Sequence, residues 1–177
     1  MRSLAVTAIG FDRPGIVAAV TKVLLEVGCN LEDTAMSILR GQIAMVLVVA
    51  APDSLDAAAL EAAVGDGTSS FDLVLAVREL HDTHESAASF DSWTVTVHGA
   101  DRPGIVHGVT AALADMGANV LDLTTRVSEG ETSIYSMVVE VELPDGLDGD
   151  ALERAMEAIA GELGVVCTVH SSDADIL

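Results

Sequence analysis

The chain has 177 residues, half of them hydrophobic but only 3% aromatic, and its 28 acidic residues against eight basic ones give a formal net charge of −20. That apolar content is enough for aliphatic cores, whereas direct nucleic-acid or membrane-surface binding needs clusters of Lys and Arg, and so acidic a field repels both partners. No run approaches the ~18 apolar residues of a membrane span, and Cys29 and Cys167, with no CxxC spacing, read as reduced core thiols of a cytoplasmic protein.

In chain order, residues 4–9 form an apolar run too short for a signal peptide and followed at once by Asp12-Arg13, so they read as a strand. The turn Gly10-Phe11-Asp12-Arg13-Pro14-Gly15-Ile16-Val17 leads into a helix over 14–27. Strands over 31–39 and 43–50, a helix over 55–64 and a strand over 73–80 follow. Residues 81–91 have no apolar periodicity and read as a linker. At Trp93 the pattern restarts with an alternating strand over 93–97, then Gly99-Ala100-Asp101-Arg102-Pro103-Gly104-Ile105-Val106. Ile105, Val109, Ala112, Leu113 and Met116 recur at helical spacing, and Gly117 stops that helix. A strand over 120–127, a hairpin signal at Glu129-Gly130 and a strand over 133–143 come next. After Pro144-Asp145-Gly146, the residues Leu152, Ala155, Met156, Ile159, Ala160 and Leu163 form an amphipathic stripe, and 165–169 closes the unit as a strand.

The second half therefore repeats the first. Asp12-Arg13-Pro14-Gly15-Ile16-Val17 returns 89 positions later as Asp101-Arg102-Pro103-Gly104-Ile105-Val106. Val20-Thr21, Gly28, Asn30, Asp33 and Gly41 return at the same offset, and Leu60 and Val77 return at 92 as Leu152 and Val169. A unit of this length is a duplicated domain. The expected organisation is a first domain over 1–80, a linker over 81–91, a second domain over 92–171 and a tail over 172–177. The order β-α-β-β-α-β in each predicts an α+β fold: two tandem ferredoxin-like units, each an antiparallel sheet with both helices on one face. The uncovered face and the sheet edges predict side-by-side packing within the chain or between chains, hence a homo-oligomer such as a dimer.

The repeated turn carries the chemistry. Pro14 and Pro103 fit the first helical position, where no N–H is needed. Asp12 and Asp101 can cap the free amides or accept from an ammonium. Gly15 and Gly104 let a ligand approach the backbone, and a helix N-terminus offers donors to a carboxylate. Asn30 and Asn119, just after the helix, supply both a donor and an acceptor. A small zwitterion such as an amino acid suits this set, with Arg13 and Arg102 alongside. The competing reading is that these residues only cap and start a helix.

Both units resemble ACT domains, small βαββαβ modules. The resemblance rests on the two turns with Gly28-Cys29-Asn30-Leu31 and Gly117-Ala118-Asn119-Val120, and it covers nearly the whole chain. A tandem pair looks most like the glycine cleavage system transcriptional repressor family. The resemblance implies that an amino acid is held by the turn and the Asn, often at a boundary between two ACT units. Serine-binding members are similar but carry Asn and His where this chain has Asp12 and Gly10. His81-x-x-His84-Glu85 is a weak metal candidate, and His107 has Ala18 as its counterpart. No nucleophile–base motif appears. The expectation is a non-enzymatic regulator without a cofactor that binds a small amino acid and signals through a protein partner. The alternative is a ligand-independent oligomerisation scaffold.

Overall fold

The structure is a computed structural model that describes residues 1–80, 92–128 and 134–172. The expected linker, the Glu129-Gly130 hairpin, the His81/His84/Glu85 group and nearly all of the tail lie outside the described residues. The chain divides into two compact units, one in each half.

In the first unit, β1 (Arg2–Phe11), α1 (Ile16–Glu26), β2 (Asn30–Leu39), β3 (Gln42–Ala51), α2 (Ala57–Gly67) and β4 (Val74–Glu79) follow one another. The sheet order is β2-β3-β1-β4, with every neighbouring pair antiparallel. Alternation in β1 and β3 turns Leu4, Val6, Ala8, Met45, Leu47 and Val49 towards the helices, where they are buried. Helix α1 answers with Ile16, Val20, Val23 and Leu24, and α2 with Leu60 and Val64. This spacing gives each helix one apolar stripe and explains why both lie on one face of the sheet.

The second unit repeats the plan with β5 (Ser92–Ala100), α3 (Ile105–Asp115), β6 (Asn119–Ser128), β7 (Ile134–Glu142), α4 (Gly149–Leu163) and β8 (Val166–Ser171), in the sheet order β6-β7-β5-β8. Its core holds Ile105, Val109, Leu113, Leu152 and Met156, with Ile159 packed partly buried against it. Both cysteines are free and pack partly buried against their cores, and burial pushes each thiol up from its ordinary value. The second helix of each unit starts on an aspartate cap: Asp56 accepts from the Ala59 amide at 2.8 Å and Asp148 from the Ala151 amide at 2.9 Å.

Two edge features bear on function. Every residue of β2 and of β6 is exposed, and each strand carries an irregularity at the same place, between Leu31 and Asp33 and between Val120 and Asp122. At the opposite edge of the first sheet, the Val77 amide donates to Glu61 Oε2 at 2.9 Å, so a helix side chain occupies that edge.

Leu152 is fully buried between α4 and the sheet. Leu152→Ala is expected to cost ~2–5 kcal/mol through lost burial and the cavity left behind. Urea denaturation of the variant against wild type measures this as a lower midpoint at an unchanged slope.

Candidate functional site

The site begins where the first strand of each unit runs into its first helix. The Asp12 amide donates to the Gly41 carbonyl at 2.9 Å, which ties the turn to the β2–β3 hairpin. Gly15, not Asp12, is the N-cap residue of α1, with φ 99° and ψ −10°. Gly104 does the same for α3 with φ 99° and ψ −11°. A side chain in this left-handed region costs roughly 1–2 kcal/mol, so glycine is required by backbone shape. This corrects the expected cap geometry. Pro14 and Pro103 precede the cap instead of opening the helix, and neither Asp12 nor Asp101 makes a cap hydrogen bond. The first-turn amides of α1 and α3 therefore have no side-chain acceptor, and the two carboxylates are left for other partners. Gly10 and Gly99 matter for a different reason: a Cβ there would come within 2.6 Å of Leu73 and 2.8 Å of Val165 respectively.

Each turn overhangs a cavity on the helix side of the sheet. In the first unit it measures about 520 Å³ and is bounded by Asp12, Arg13, Gly15 and Val17 above and by Met36, Ile38 and Ile43 below. In the second it measures about 490 Å³ and is bounded by Asp101, Arg102, Gly104, Val106, His107 and Tyr135. The candidate residues of each turn are thus brought together: Asp12, Arg13, Pro14 and Gly15 in one cavity, Asp101, Arg102, Pro103 and Gly104 in the other.

Asn30 and Asn119 are not brought to the turn of their own unit. Asn30 pairs with Ala50 and Asn119 with Glu142, whereas the turns adjoin the other end of these sheets, where Leu39 pairs with Gln42 and Ser128 with Ile134. Along the sheet that separation is ~25 Å, from about eight residues at ~3.3 Å each. Within one unit the expected pairing of turn and asparagine is therefore corrected: a ten-residue strand carries the Asn away from the turn.

The two turns also differ. Arg102 Nη2 donates to the Leu163 carbonyl at 3.1 Å and the Gly164 carbonyl at 2.9 Å, placing a cation on the C-terminal carbonyls of α4. Among the described residues Arg13 makes no side-chain hydrogen bond or ion pair. Tyr135, which the sequence reading passed over, stands opposite Gly99 and Val127, as Ile43 stands opposite Gly10 and Ile38. Burial first, and the Asp101 charge second, push its phenol above the ordinary value. His107 lines the second cavity where the first has Ala18. Among the described residues no group of His, Cys, Asp and Glu could hold a metal ion, and no helix is long and apolar enough to cross a membrane.

An antiparallel four-stranded sheet with two helices on one face and an uncapped turn at the first helix, built twice, defines a tandem pair of ferredoxin-like α+β domains. Residues 2–77 and residues 93–161 each match the ACT domain family, and the chain belongs to it. Over 171 residues the chain is 26% identical to the glycine cleavage system transcriptional repressor of Escherichia coli (strain K12), a match covering 94% of this chain and 88% of that protein. The crystal structure of an unknown protein from Galdieria sulphuraria is similar with a TM-score of 0.81 at 25% identity, covering 96% of this chain and 98% of that one. A second crystal structure, of a protein suggested to be a glycine cleavage system transcriptional repressor, shares the fold with a TM-score of 0.75 at 18% identity over 96% of each chain. The family places the chain among non-catalytic modules with a general regulatory, amino-acid-binding role.

Tyr135 is the chain's only tyrosine, so its ionisation can be followed directly. In the folded protein the phenolate is expected to form with a midpoint above 10, its ordinary value. Asp101→Asn should lower that midpoint without abolishing the elevation, because burial remains. The folded state then holds the proton more tightly than the unfolded one, so stability present below the unfolded midpoint is lost as pH rises towards the folded midpoint. Phenolate absorbance against pH, in native buffer and in denaturant, measures both midpoints.

Proposed function

We propose that this protein is a cytoplasmic, non-enzymatic sensor that binds a small amino acid at its ACT turns and passes the bound state to a protein partner in transcriptional or metabolic regulation. The observation that carries this reading is the uncapped helix start above an open cavity, formed twice with the same residues. First-turn amides, with Arg13 in the first unit, suit a carboxylate, and Asp12 or Asp101 suits an ammonium. Asn30 and Asn119 keep a part in this reading only through another ACT unit. A second copy whose edge strand paired antiparallel with β2 would set its asparagine beside the Asp12 turn, giving a homodimer with composite sites. The relative in Escherichia coli is named as a transcriptional repressor. With a net charge of −20, an effect of this chain on transcription would pass through a partner with its own DNA-binding surface.

The fully exposed strands β2 and β6 also favour a second reading, a scaffold that assembles without ligand. Thermal shift against a panel of free amino acids separates the two. A ligand at ~100 times its Kd should add about 2.7 kcal/mol of stability, and no response from any amino acid would leave the scaffold. In calorimetry with a responsive amino acid, Asn30→Ala and Asn119→Ala should each weaken binding by ~1.5–3 kcal/mol, the worth of a hydrogen bond to a charged group. A double variant that binds as tightly as wild type would remove the asparagines from the site.

Direct binding to nucleic acid is not expected. A mobility-shift assay at low salt, where phosphate contacts are strongest, should show no complex. A tight complex that weakens steeply with salt would contradict this reading.

A further inference from the structure

We propose that the two turn sites are not equivalent, and that the hydroxyl of Tyr135 is a ligand-binding donor belonging to the second unit alone, positioned to hold the carboxylate of a bound amino acid. This rests on the amino-acid reading above and assigns to one side chain a part in it.

Tyr135 is only 7% exposed, and its hydroxyl is buried with no hydrogen-bond partner among the described residues. A buried hydroxyl without a partner bears its full desolvation penalty, so such groups are rare unless something else satisfies them. This hydroxyl belongs to a side chain that lines the cavity under the Asp101–Gly104 turn. In the same cavity, α3 begins at Gly104 without a side-chain cap. The Gly108 amide is already bonded to the Gly104 carbonyl, so the amides of Ile105, Val106 and His107 are the first-turn donors that no helix carbonyl can reach. Asp101 stands on the rim as an acceptor. An α-amino acid matches this arrangement group for group. Its carboxylate takes the Tyr135 hydroxyl and the α3 amides, and its ammonium takes Asp101.

The first unit offers no such hydroxyl. Ile43 occupies the equivalent register position, and the floor of that cavity is formed by Ile43, Ile38 and Met36. There the cationic group near the turn is Arg13, while its counterpart Arg102 is bonded to the end of α4. The first site thus has a cation without a partner among the described residues over an apolar floor, and the second has a buried hydroxyl and a cation committed elsewhere.

Tyr135→Phe tests the assignment because a structural role and a binding role predict different outcomes. Phenylalanine keeps the ring and removes only the hydroxyl, so the ligand-free protein should melt no lower than wild type. The probes are glycine, the smallest zwitterion, and L-alanine and L-serine, which add a methyl and a hydroxymethyl group. In calorimetry of the full chain, the amino acid that binds wild type should bind one site about ten- to hundred-fold more weakly in Tyr135→Phe, the loss of a hydrogen bond to a charged group. The same amino acid should perturb the near-ultraviolet absorption of the single tyrosine in wild type. Unchanged affinity at every site, with no tyrosine perturbation, would overturn the assignment while leaving the sensor reading standing. Failure of these three and of every other amino acid in the thermal-shift panel to bind wild type would overturn both.

Discussion

The backbone at Gly15 and Gly104 governs most of what the turns can do. A left-handed residue at the start of an α-helix swings the preceding chain away from the helix axis, and the aspartate before it makes no cap bond to the first-turn amides. Contrast the second helix of each unit, where Asp56 and Asp148 sit in extended backbone and cap in the usual way. The chain therefore contains aspartate-capped and glycine-started helices side by side, from similar residue types. The difference lies in one dihedral angle. It leaves donors at one helix end unsatisfied and a carboxylate nearby unspent, a polarity that suits a ligand carrying both charges.

Duplication preserved this backbone and let the side chains beneath it diverge. Both glycines have the same φ, and the β2 and β6 irregularities fall at matching positions. Yet the floor of one cavity is isoleucine and of the other tyrosine. One arginine is without a partner among the described residues, while the other closes the C-terminal end of α4. The second unit has its turn bonded to the end of a helix far away in sequence, through two hydrogen bonds from Arg102. The corresponding contact of Arg13 is absent among the described residues of the first unit.

Much of this was legible from the residues. The hexapeptide exposed the duplication, and stripes such as Leu152, Met156 and Ala160 marked helices whose buried faces are where the spacing puts them. The cap was misread because Pro-Gly after aspartate is compatible with two backbones, and residue types alone do not report the sign of φ. The asparagine's place is not legible from sequence distance, because a residue close to the end of α1 along the chain lies a full helix away from its start. Strand β2 begins at Asn30 and runs the length of the sheet before it returns beside the turn. Tyr135 was visible as a lone aromatic aligned with Ile43, but only burial without a partner distinguishes it from an ordinary core residue.

Glu61 has a consequence for how large an assembly can become. A flat antiparallel sheet with two free edges can add neighbours on both sides without limit, which is the geometry of a fibre. In the first unit the carboxylate of Glu61 sits on an amide of β4, and a charged helix side chain on that margin obstructs a strand arriving from outside. Growth through main-chain pairing is then one-sided. Once β2 has a neighbour, the sheet of that unit has no second margin to offer, so the first unit can take part in one such pairing and no more.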